Sequence, residues 1–225
     1  VKEMGTRRLI RALGLAGIGV VGAYLLAVRP WHRRWGTTDD EATGWLPGDD
    51  FVGDADVTST RAITITAPAR AVWPWVVQLG QGRGGFYSYE RLENLFGLQI
   101  HNADRILPQH QRLDVGDEIR LGPPGSGAPS FRVAFVDPER SLVLSAPGWE
   151  TGESPATWTF ALHEVAPGAT RLVVRFRGRS ETLRERAMNR LVVEPVQFAM
   201  ERKMLKGIRS RAERARASPT GGRHR

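Results

Sequence analysis

The 225-residue chain predicts an α+β fold in which a curved antiparallel sheet wraps one long C-terminal helix, with a single transmembrane helix ahead of it. Three observations carry this. Between 117 and 179, five strand-length runs rich in Val, Leu, Phe or Trp follow one another, separated by Pro- and Gly-containing turns. From Glu181 to Ala217 the sole glycine is Gly207, and Val193, Val196, Met200, Met204 and Ile208 recur at helical spacing. Ala12 to Val28 is an uncharged apolar run between Arg11 and Arg29.

Taken in order, that apolar run comes first. At 1.5 Å per residue it spans roughly 25 to 30 Å, near the lower limit for a bilayer core. Arginines on both flanks, with Trp31 and Trp35 just beyond, suit an interfacial belt, and no small-x-small cleavage site ends the run. Residues 1–35 therefore read as a single-pass membrane anchor, and Gly19, Ala23 and Ala27, four apart, offer a homo-oligomer contact. Residues 36–57 are acidic and irregular and read as a juxtamembrane linker. Arg61 to Thr66 alternates with period two, a strand stopped by Ala67-Pro68; Val72, Val76 and Leu79 then follow at helical spacing. The later runs are 117–121, 130–136, 141–146, 156–165 and 170–179, and their short connections imply hairpins. Pro195 is expected to kink the last helix. A basic tail, 214–225, closes the chain.

Composition narrows function. Net charge is +8, but the excess sits at the two ends, which argues against a nucleic-acid-binding face and for a membrane surface or a solvated tail. With no cysteine, disulfides, thiolate catalysis and cysteine metal sites are removed together. No Ser/His/Asp triad or H-E-x-x-H pattern appears, so neither a metal nor a cofactor is expected.

Special residues concentrate between Leu79 and Pro108. Gly80-Gln81-Gly82-Arg83-Gly84-Gly85 satisfies G-x-G-x-x-G with Asp104 beyond it, yet it follows a helical pattern instead of a strand and no further βαβ unit exists. The glycines read as tight turns between two helices. Those turns place Phe86, Tyr87 and Tyr89 either at a cavity mouth or as core staples. His101, Asp104 and Arg105 form the one cluster suited to acid-base work, with Tyr87 or Tyr89 to polarise a carbonyl; the plainer alternative is an Asp–Arg pair beside a turn-capping histidine. Trp75, Trp149, Trp158, Phe160, Phe198 and Met200 are candidates to line a cavity between sheet and helix, or to fill it. Glu194 interrupts an apolar stretch and is expected to face solvent, or else to pair with Arg83, Arg175 or Arg202.

The phrases ITAPARAVWPWVVQLGQGRGGFYSYERLENLFGLQIHNADRI and EPVQFAMERKMLKGIRSRAE resemble a bacterial branch of the SRPBCC superfamily, the helix-grip group that includes START lipid-transfer domains and polyketide cyclases/dehydrases. The resemblance covers roughly 58–213. It implies a helix-grip fold and a hydrophobic ligand cavity, but no catalytic set. The expected function is membrane-tethered binding or transport of an apolar small molecule, a lipid, isoprenoid or polyketide-like compound. Two alternatives stay open: a cyclase/dehydratase using His101, Asp104 and Tyr87 or Tyr89, and a membrane-associated protein-interaction module.

Overall fold

The structure is a computed structural model and describes residues 19–147 and 155–217. Six strands, β1 (Val57–Ile65), β2 (Glu118–Arg120), β3 (Ser130–Asp137), β4 (Ser141–Ser145), β5 (Ala156–Ala166) and β6 (Ala169–Gly178), form one antiparallel sheet in the order β1-β6-β5-β4-β3-β2. β3 and β4, and likewise β5 and β6, pair as hairpins because only residues 138–140 and 167–168 connect them. Gly168, at φ +73°, supplies the left-handed position between β5 and β6. Among the described residues, α-helices α1 (Arg29–Arg33), α2 (Asp39–Thr43), α3 (Ala69–Val77), α4 (Glu90–Leu95), α5 (Leu183–Met188) and α6 (Glu194–Ala217) accompany the sheet.

Alternation along the strands decides what each face meets. Ile63, Phe160, Leu162, Leu172 and Val174 enter the main core with α3 and α6, joined by Val72, Val76, Met204, Leu205 and Ile208. Their neighbours Ala62, Ala161 and Val173 point the other way and form a small second cluster with Leu46. The segment 36–56 therefore lies across the outer face of the sheet. A row of arginines on β6 holds it there. Arg171 bonds both carboxylate oxygens of Glu41 at 2.7 and 2.8 Å, Arg175 donates to the carbonyls of Glu41 and Gly44 and to Asp49, and Arg177 donates to the carbonyl of Val52. The acidic residues and free carbonyls of the segment complement cations that would otherwise be stranded on a half-buried face.

The last helix forms as its spacing predicts, with a local defect. Thr182 caps its start by accepting from the Glu185 amide, and a π turn at Asn189–Val193 separates α5 from α6. Proline at 195 lacks an amide proton and its ring crowds the carbonyl one turn back, so the widened turn falls where the ordinary ladder fails.

The N-terminal reading is corrected. Among the described residues no helix is long and apolar enough to cross a membrane, so the single-pass membrane localisation expected from 12–28 is contradicted. Positions 12–18 of that run lie outside the described residues. From 19 the chain is helical through a π turn at Tyr24–Val28 into α1, and this helix docks on protein. The Tyr24 hydroxyl donates to the carbonyl of Arg190 at 2.9 Å. The Arg29 guanidinium makes a two-pronged pair with Glu194, both contacts 2.8 Å. His32 is buried against Phe198, ring centroids 5.3 Å apart. Glu194 is likewise corrected: it is buried, and its partner is Arg29 instead of Arg83, Arg175 or Arg202. A carboxylate at that depth is tolerable only with a charge-assisted fork of this kind.

Candidate ligand cavity

A cavity of about 620 Å³ lies between the sheet and α6, with its rim at α4 and the loop that follows. Its position traces back to the glycine loop. Gly80 and Gly85 exchange both backbone hydrogen bonds, at 3.0 and 3.1 Å, closing the loop on itself, and both have positive φ. Asn102 then reaches across, its Oδ1 accepting from the amides of Phe86 at 3.1 Å and Tyr87 at 2.6 Å. A Cβ on Gly85 would sit 2.6 Å from that same Oδ1 and 2.7 Å from the His101 carbonyl. Gly85→Ala is therefore expected to cost about 2 kcal/mol or more through strain and loss of this staple, read as a lower urea midpoint; an unchanged midpoint would refute the close approach.

Fixing 86 and 87 sends their rings to different places. Phe86 turns into the cavity, where it meets Trp158 at 6.2 Å between centroids; Phe131 lies 6.2 Å from the same indole on the far side. Tyr87, at φ +54°, turns into the core. Its hydroxyl donates to the Trp75 carbonyl at 3.2 Å and accepts from Gln78 Nε2 at 2.9 Å, and burial holds its ionisation well above the usual tyrosine range. Gln78 also accepts from the Leu107 amide and from Gln111, so one buried amide ties the glycine loop to the 102–111 segment.

The sequence-derived candidates separate accordingly. Phe86, Trp158 and Met200 line the cavity. Trp75, Tyr87 and Phe160 are buried in the core and are not among its lining residues. Tyr89 is half exposed beneath Lys203, 5.8 Å from its ring centre. Phe198 faces the N-terminal helix, with Trp31 and His32 rings both 5.3 Å away. Trp149 lies outside the described residues. His101, Asp104 and Arg105 line a separate, shallow polar depression with Arg83. There His101 sits 3.5 Å from Glu90 and Asp104 pairs with Arg211 at 2.7 Å. The histidine, the aspartate and the buried tyrosine hydroxyl thus do not converge in the apolar cavity.

What sequence reasoning missed is the polar content of the cavity wall. Glu93, on α4, is 4 % exposed; burial, with the Glu90 carboxylate one turn earlier, pushes its carboxyl up to about 7. Its Oε2 has no hydrogen-bond partner, nor does the indole nitrogen of Trp158. Ser88, Ser130 and, on α6, Gln197 and Glu201 add to this polar content: Gln197 donates to Glu201 at 3.0 Å, and Glu201 is also ion-paired with the fully buried Arg61 of β1. The legible signal was spacing. Glu194, Gln197 and Glu201 stand three and four apart, which puts three polar side chains on one helix face among apolar ones. Glu93 carried no such signal, because an acid in a short amphipathic helix reads as surface.

The chain matches no protein-family model and no curated protein. Solved structures match it at low identity. The aromatase/cyclase Zhui from Streptomyces sp. R1128 is 14% identical, covering 74% of this chain and 99% of that one at a TM-score of 0.41. A polyketide-cyclase-like protein from Corynebacterium glutamicum is 15% identical, covering 74% and 97% at 0.38. A protein from Thermobifida fusca is 14% identical, covering 70% and 93% at 0.46. Likeness this slight does not transfer an activity.

Proposed function

We propose that this protein binds an apolar small molecule, of lipid, isoprenoid or polyketide-like kind, between the sheet and α6. One observation carries the reading: side chains leave about 620 Å³ unfilled within a wall that is almost wholly apolar, built from residues such as Phe86, Leu98, Phe131, Trp158 and Met204. Close packing is the rule inside proteins, and a void this size without a ligand forfeits dispersion contacts along its whole lining. Its volume falls in the range of sites for drug-sized ligands. Phe86, Trp158 and Met200 are the proposed contacts.

The test is uptake of Nile red, an uncharged dye whose emission shifts blue in apolar surroundings. The wild-type chain is expected to bind it at low micromolar concentration. Ala146, on the cavity wall, is the place to block it. Ala146→Trp is expected to weaken uptake at least tenfold while the far-ultraviolet circular dichroism stays the same. Equal uptake by the two proteins would locate the dye elsewhere and remove the cavity's claim.

A further inference from the structure

The cavity wall carries its own statement about ligand chemistry, one that rests on the binding role just proposed. Five residues of the wall have polar side chains of the acid, amide or hydroxyl kind, and four are already engaged. Ser88 donates to the Met200 carbonyl at 3.2 Å, and Ser130 bonds the Glu118 carboxylate. Gln197 and Glu201 are tied to each other and to Arg61. The fifth, Glu93, keeps an unpartnered Oε2 at 4 % exposure, and the Trp158 indole nitrogen is likewise buried and unpartnered. No Arg, Lys or His stands among the described lining residues.

We infer that the cavity selects uncharged apolar molecules whose polar atoms are hydrogen-bond acceptors, such as ketones, esters or ethers, received by Glu93 and Trp158, and that it rejects carboxylate-bearing lipids. An indole nitrogen only donates, so Trp158 asks for an acceptor. No Arg, Lys or His shares the described cavity wall with Glu93, and burial beside Glu90 favours its protonated form, which also donates. A carboxylate ligand would enter a site whose described wall holds two acidic side chains and no cation to receive it, and would lose its hydration without replacement. An ammonium ligand would answer Glu93 as an ion pair but leave the indole N–H unmet.

Displacement of Nile red from the full chain at pH 6 separates these classes. The probes are three of equal chain length: 2-dodecanone, dodecanoate and dodecylamine. The ketone is expected to displace the dye at a concentration at least tenfold below either charged probe. Glu93→Leu and Trp158→Phe are each expected to weaken the ketone about fivefold, the size of one lost hydrogen bond. Dodecanoate or dodecylamine displacing as well as the ketone overturns the inference and leaves the cavity reading standing. Unchanged ketone affinity in both variants overturns it equally. If the wild-type chain takes up no Nile red, the binding role fails first and the inference with it.

Discussion

Arg61→Leu is expected to lower the unfolding free energy by about 3 to 5 kcal/mol, the size of effect seen when one partner of a buried ion pair is removed. Arg61 points from β1 into the core and its side chain is fully buried. Its Nε donates to the His32 carbonyl at 3.0 Å, its Nη1 meets Glu201, and its guanidinium lies 5.4 Å from the Phe198 ring centre. Without it, the Glu201 carboxylate stays buried with only Gln197 to answer it. The pair itself is a different matter from its halves. Desolvating two charges consumes most of what their attraction returns, so Arg61→Leu with Glu201→Leu is expected within about 1 kcal/mol of wild type. Urea denaturation of the two single variants and the double decides this. Singles no worse than the double would mean that the two charges do not depend on each other. The same cycle reaches the cavity, because Glu201 is part of its wall.

How much of this was legible in the sequence depends on how far away each partner stands. Strand positions followed from alternation and from turns such as Pro167-Gly168, both local signals, and β5 and β6 form where those signals place them. The glycine loop was legible for the same reason: positive φ at Gly80, Gly82 and Gly85 is a local demand. The N-terminal run was not. Its apolar residues read as a membrane span because hydropathy cannot register that Tyr24 and Arg29 bond Arg190 and Glu194, some 165 residues later. Glu194 failed in the same way. The cost of burying a lone carboxylate pointed to the surface, and only the fold supplies the arginine that removes the cost. For the site, aromatic content made Phe86 and Trp158 candidates to line or to fill a cavity, and did not separate them from Trp75 and Phe160, which pack in the core away from the wall. Burial direction at that resolution belongs to tertiary packing.

Glu93→Gln is expected to stabilise the protein by about 2 to 3 kcal/mol at pH 8 and to leave it nearly unchanged near pH 4.5. The native carboxyl holds its proton up to about 7, against about 4.5 for an ordinary glutamate. Between those values the unfolded chain releases a proton that the native state keeps. Stability therefore falls as pH rises through that window, at about 1.4 kcal/mol per unit, and the loss stops once the native group has also ionised. Glutamine does not titrate, so the difference between variant and wild type grows from pH 4.5 to pH 7 and then levels off. Urea unfolding at pH 5 and pH 8 measures it, and parallel behaviour of the two proteins would show that Glu93 ionises like a surface acid. A group held at this cost adds nothing to core packing that a glutamine would not. Ligand linkage extends the same measurement. An acceptor that takes the Glu93 O–H bond holds the proton to higher pH, so its presence should move the window upward. A ligand seated without touching Glu93 should raise stability by the same amount at every pH.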